Sequence, residues 1–168
     1  VDILSKLRAV FNKEGQVTAG NASTVNSGAI SDLLADAEFA KEQGWEIIAY
    51  VEDYYTSGVA PDQVMSAPIP AIRMLLERNS LDVLDVDIYE HNEAFASASC
   101  AVAKEVGIPN DRFNLHGGAV SLGHPLGSSG TRCLITMLGV MRRVEANSGI
   151  VTLCLGGGNA VAMLVRMD

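Results

Sequence analysis

No stretch of this sequence reaches the roughly 20 consecutive apolar residues that a bilayer-crossing helix needs, so no membrane partner is expected. The opening Val1-Asp2-Ile3 is neither basic nor followed by an apolar signal region, and no secretory leader is expected. Cysteine is scarce. Cys100, Cys133 and Cys154 are odd in number and far apart, which excludes a disulfide framework and a paired-cysteine metal motif. Reduced thiols fit an intracellular compartment, the cytoplasm first, with mitochondrion or peroxisome also compatible. His91, His116 and His124 share one stretch but lack ligand spacing, so no metal is expected. Positive charge is also short: 12 Lys and Arg against 20 Asp and Glu leave a net charge of -8. A field of that sign repels phosphate backbones and argues against nucleic acid. It also means that an anionic ligand would need basic residues from elsewhere.

At 168 residues and 48% apolar content the chain is one domain long and can bury a core. Its first residue is not Met, and it reads as a fragment or a processed product. Residues 1–24 are small and polar and read as a loop that ends another structure. Residues 29–43 suggest a helix stopped by Gly44. "WEIIAYVEDYYTSG" has the β-branched and aromatic content of a strand. Ile69, Ile72, Leu75 and Leu76 share one face of a helix over 69–79. "LDVLDVDIYE" alternates apolar and acidic residues, as a strand half open to water would.

Asn92 is placed to cap a helix running from Glu93 to about Glu105. A second helix spans Leu126 to Arg143, with Pro125 near its first turn and two arginines at its C-terminal end. "GIVTLCL" and "AVAMLVRM" close the chain as strands with three glycines between them. Strands alternating with helices predict a layered α/β domain.

Three stretches carry residue types odd for plain packing. In "HNEAFA" Asn92 is either a helix cap only or also the holder of a water near a developing negative charge. In "HGGAVSLGHPLGSSG" His124 stands between glycines and a proline, either as a structural hydrogen-bonder or as a fixed base. The glycine spacing matches neither a P-loop nor a dinucleotide fingerprint. In "CLGGGNAVAM" Cys154 is an inert small hydrophobe or an acid/base at a cavity wall. The glycines then let another molecule, or an inward-pointing N–H, come close.

"GNAS" at 20–23, "HNEAFA", "GGAVSLGHPLGSSG" and "CLGGGNAVAM" occur in an order and at separations that resemble the C-terminal half of thiolases. The resemblance covers essentially the whole chain. It implies a thiolase-like layered α/β fold, a mixed five-stranded sheet covered by helices, as one half of a two-domain core. It divides the chain into the end of a loop domain over 1–24 and the C-terminal domain over 25–168. Residues 29–43 would then be a strand followed by a helix. It implies acyl transfer between acetyl-CoA and acyl-CoA, by Claisen condensation or by thiolysis of a 3-ketoacyl-CoA. Coenzyme A thioesters would be the substrates, with no permanently bound cofactor.

By the same resemblance, His124 is the base that activates a nucleophilic cysteine and later donates into an oxyanion hole, and Asn92 orients the water of that same hole. Cys154 is the acid/base for the α-proton, with a near-neutral thiol. Gly156 is a backbone oxyanion donor. Phe11, Ala19, Ser23, Ala94 and Phe95 line the pantetheine channel. The family's nucleophilic cysteine has no match here, because Cys100 and Cys133 read as packing residues. The chain by itself is therefore expected to be inactive and to need the missing N-terminal half or a homo-oligomer. Two other classes remain: a small or non-catalytic subunit that completes a site with a separate thiolase-like chain, and a ketoacyl-synthase-like condensing enzyme, against which Cys154 argues. Ser27, where thiolases often have Asp, and the polar Ser31, Asp32 and Asp36 depart from the family pattern.

Overall fold

The computed structural model describes residues 2–167. Four strands form one mixed sheet: β1 (Tyr50–Gly58), β2 (Ile88–His91), β3 (Ser148–Leu155) and β4 (Asn159–Arg166), in the order β1-β4-β3-β2. β4 runs antiparallel to both β1 and β3, whereas β2 and β3 are parallel. Five helices accompany them: α1 (Ala37–Glu42), α2 (Pro68–Arg78), α3 (Ala96–Val106), α4 (Ala119–Leu122) and α5 (Ser129–Val144).

Strand alternation sorts the core into two layers. Tyr89, Ile150, Ala162 and Leu164 point to one face and pack against Ile72 and Leu75 of α2 and Val102 of α3. Their neighbours Ile88, Val151 and Val165 point to the other face and meet Cys133, Met137, Val140 and Met141 of α5. The periodicities of 2 and 3.6 thus produce helix–sheet–helix layers, the architecture expected from the alternating elements.

The sheet departs from expectation at both ends. It has four strands among the described residues, not five. Beside β2 the fifth position holds only a single parallel bridge, Tyr89 to Phe113. Asn114 adopts a left-handed φ of 48°, and the ladder ends there. Its side-chain Oδ1, rather than a backbone carbonyl, accepts from the His91 N–H at 2.7 Å. Residues 29–36 form neither part of the helix expected to end at Gly44 nor the strand implied by the resemblance. Helix α1 begins only at Ala37, where the Asp36 carboxylate accepts from the N–H groups of Glu38 and Phe39. Ile30, Leu33 and Leu34 are exposed and pair with no strand of this chain. A strand needs a neighbour for its backbone groups, and none lies beside this segment.

The acidic alternation before β2 also resolves differently. β2 is buried along its whole length rather than half open to water. Asp82 and Asp85 form a reciprocal capping box on a short 3-10 turn, Val83–Asp85. Asp87 accepts from the backbone N–H groups of Asn147 and Ser148 at 3.0 Å each, so these carboxylates serve as caps and clamps.

Candidate functional site

The site is assembled where β2 leaves the sheet. The Asn92 N–H donates to Thr152 O at 3.1 Å, one step beyond the β2–β3 ladder. Glu93 then takes a positive φ of 58° and turns the chain away. Helix α3 starts at Ala96, three residues later than expected, and Phe95 is its N-cap with no side-chain bond. Asn92 is therefore not the helix cap. Its carboxamide is free for other partners, and it is 1% exposed.

Those partners are His124 and Arg132. His124 follows Gly123 (φ 89°), and an added Cβ at Gly123 would lie 2.5 Å from Asn26 Oδ1. The strap before residue 29 holds it in place: the His124 N–H donates to Thr24 O (2.9 Å) and Asn26 Oδ1 (3.1 Å). Its Nδ1 lies 2.6 Å from Ser129 Oγ at the start of α5, and its Nε2 lies 3.3 Å from Asn92 Nδ2. Desolvation, and secondarily the Arg132 guanidinium, hold the imidazole below its ordinary pKa, so it stands as a neutral base near pH 7.

Cys154 lies near the end of β3, two residues beyond Thr152 on the same face of the strand. The thiol's contact is with Met65 Sδ, at 3.9 Å. Burial pushes its pKa up, with a smaller opposing effect from a backbone hydrogen bond. The near-neutral thiol expected from the sequence is not found; this one rests as S–H. Of the three side chains expected to converge, His124 and Asn92 touch.

The glycines have a local reason. Gly157 and Gly158 have φ of 88° and 95° in the turn joining β3 to β4. A Cβ on Gly158 would sit 2.4 Å from Val59 O, whose own N–H donates to Gly158 O at 2.7 Å. Gly157 and Gly158 thus serve a tight hairpin stacked on the end of β1. Around Gly156 there is open space. Gly158→Ala is expected to destabilise the fold by about 2–3 kcal/mol, from backbone strain plus a clash with an immovable carbonyl. Urea unfolding measures this, with Gly156→Ala as the control that should change little.

The other expected site residues form a neighbourhood around the turn into α3. The Ser23 N–H donates to Ala94 O at 2.9 Å, and Ala22 bridges Phe95. The Phe11 ring meets Phe95 edge-on, with centroids 6.0 Å apart. Ala94 is buried, while Ala19 is exposed on the same strap. Cys133 packs in the core and its thiol is pushed up to about 12, chiefly by burial. Cys100, expected to pack as well, is exposed.

Sequence reasoning missed Glu90, Arg132 and Ser129. Glu90 is fully buried, and neither carboxylate oxygen has a hydrogen-bond partner. Its nearest counter-charge is Arg132 Nη1 at 3.8 Å. Arg132 Nη2 donates to Asn92 Oδ1 at 2.9 Å. A carboxylate in an otherwise apolar strand, and a lone arginine in the first turn of an apolar helix, were the signals available. No group of three His, Cys, Asp or Glu among the described residues is placed to hold a metal ion. No described helix is long and apolar enough to cross a membrane.

The fold and the sequence have close parallels among known proteins. Residues 45–167 match the family "Thiolase, C-terminal domain", and residues 1–38 match "Thiolase, N-terminal domain". The chain is 45% identical over 166 residues to an acetyl-CoA acetyltransferase of Rhizobium meliloti, covering 99% of this chain and 42% of that protein. It is 44% identical over 168 residues to an acetyl-CoA acetyltransferase of Pseudomonas aeruginosa, covering 100% of this chain and 43% of that protein. Among solved structures, the Bacillus anthracis acetyl-CoA acetyltransferase superimposes with a TM-score of 0.92 at 37% identity. Human mitochondrial 3-ketoacyl-CoA thiolase does so with a TM-score of 0.90 at 33% identity. In both cases 99% of this chain and 42% of the other are covered. The chain belongs to the thiolase family. It spans about two fifths of the length of the curated relatives it matches.

Proposed function

We propose that this chain is the C-terminal part of a thiolase that transfers acyl groups between coenzyme A thioesters, by Claisen condensation or by thiolysis of a 3-ketoacyl-CoA. The observation that carries the reading is the 3.3 Å approach of His124 Nε2 and Asn92 Nδ2 in a chain of this family. In this reading His124 takes the proton of a nucleophilic thiol, whose thiolate then adds to the thioester carbonyl. The departing coenzyme A thiolate takes the S–H proton of Cys154. The Cys154 thiolate so formed removes the α-proton of the second acetyl-CoA; the enolate carbon attacks the acyl-enzyme, and the expelled nucleophile sulfur takes its proton back from His124. Asn92, through a water, and the Gly156 N–H face the developing oxyanions. Phe11, Ala19, Ser23, Ala94 and Phe95 line the path of the pantetheine arm.

The nucleophile is supplied by the missing N-terminal half, since neither exposed Cys100 nor core Cys133 suits that role. The proposed division places the end of the loop domain at 1–24 and the C-terminal domain at 25–168. The join between the two matched family domains falls later, between 38 and 45. A separate chain carrying the nucleophile would complete the site equally well. The exposed Ile30, Leu33 and Leu34 favour some such neighbour.

The purified 168-residue chain is expected to show no thiolysis of acetoacetyl-CoA. A complete polypeptide that joins it to the N-terminal half is expected to turn over. Disappearance of the substrate's enolate absorbance measures both. Turnover by the homogeneous short chain would refute the missing nucleophile, and an inactive complete polypeptide would refute the thiolase reading.

A further inference from the structure

We infer that Arg132 is a positioning residue: its guanidinium fixes which way the Asn92 carboxamide points, and through that amide it holds His124 with the proton on Nδ1 and the lone pair on Nε2. This deepens the proposed function and takes its catalytic meaning from it, although the hydrogen-bond directions stand independently.

The directions follow from which groups can only donate. A guanidinium has no acceptor, so the Asn92 atom 2.9 Å from Arg132 Nη2 is the oxygen. The Cys133 S–H reaches the same oxygen at 3.6 Å. The other end of the carboxamide is then the NH2, and it faces His124 Nε2 at 3.3 Å. An N–H donating there requires a lone pair on Nε2. At the far side of the ring, the Ser129 hydroxyl donates to Pro125 O at 3.0 Å. Its oxygen is left to accept from His124 Nδ1–H at 2.6 Å. Every link agrees: Arg132 to Asn92, Asn92 to His124, His124 to Ser129, Ser129 to Pro125.

Arg132 is itself held by unusual surroundings. Its Nε and Nη1 have no hydrogen-bond partner, and Glu90 beside it is fully buried with both oxygens unpartnered. Such a pair is costly to bury for stability alone, and a directional task gives it a reason. The charged groups facing the cluster are Arg132 from α5, Glu90 from β2 and Glu93 from the turn that follows.

The test reads the histidine ring directly. Nitrogen-15 NMR of the chain, with His124 assigned through His124→Gln, is expected to show Nδ1 protonated and Nε2 bare above the imidazole pKa. Arg132→Met removes the donor that orients the amide, and the ring nitrogens should then shift toward a mixture of tautomers. Asn92→Asp replaces the NH2 with an acceptor, and the proton should move to Nε2. A loss of packing alone would lower the melting temperature without moving these signals. If Arg132→Met does not fold, the pair Glu90→Gln with Arg132→Met leaves no buried charge and carries the same readout. A wild-type ring protonated on Nε2, or ring signals unchanged by loss of the guanidinium, would overturn the proposal. If the ring behaves as expected while the complete polypeptide shows no thiolysis, the network stands and the thiolase reading alone fails.

Discussion

His124→Ala is expected to lower kcat by about 10²–10⁴-fold in a polypeptide that also carries the N-terminal half, the range typical of losing a positioned base. KM should change little, because His124 meets the reacting atoms rather than the pantetheine arm. His124 sits below its ordinary pKa because it is desolvated and faces Arg132. The neutral base therefore persists to lower pH than for a solvent-exposed histidine. The acidic limb of the kcat/KM profile should lie below pH ~6.5, the ordinary histidine value. Arg132→Met removes the repelling charge and should move that limb upward. A His124→Ala enzyme with undiminished turnover would end its assignment as the base, whatever the family resemblance.

Glu90→Gln is expected to stabilise the fold at alkaline pH. Burial is the largest cause raising the Glu90 pKa to about 8; Arg132 opposes it and Glu93 adds to it. The folded state therefore binds a proton that the unfolded chain, with its carboxyl near 4.5, has released. A raised pKa contributes stability that is complete below pH 4.5 and is lost as pH climbs to about 8. Histidine acts in the opposite direction. His91, stacked on Phe113 and hydrogen-bonded to Ser99 Oγ, is depressed by desolvation to about 4. Its contribution is present above pH 6.5 and is lost as pH falls to about 4, and His124 adds to that acid-side loss. Between pH 4.5 and 6.5 Glu90 and the two histidines act in opposite directions. Between pH 6.5 and 8 Glu90 acts alone, and the wild-type chain should lose about 2 kcal/mol. Glu90→Gln should show no such loss. Urea unfolding at both pH values settles it: an equal decline in the two proteins would mean that the carboxylate is not the source.

Glu90 shows why part of the site could not be read from letters. Nothing local marks it: in "DVDIYEHN" it is one acidic residue among several, and the others turn out to be caps and clamps. Its burial comes from α5 crossing β2 and bringing Arg132, which lies 42 positions on in the chain. Asn92 illustrates the same limit. By sequence it is a good N-cap, yet the positive φ of Glu93 delays α3 and hands the carboxamide to groups from two other elements.

The elements themselves were largely legible. Helical spacing placed α2, a proline at the start and arginines at the end placed α5, and β-branched content placed β1, because each signal reflects local backbone preference or the way a side chain leaves the backbone. The motifs also carried the thiolase resemblance and named His124, Asn92 and Cys154. Three things came only from the folded chain: the unpaired segment 29–36, the truncated fifth strand at Phe113, and the orientation of the Asn92 amide. Each depends on which groups lie beside a residue in space. A strand without a neighbour and an amide without a guanidinium have the same letters as their paired counterparts, and only long-range contact tells them apart.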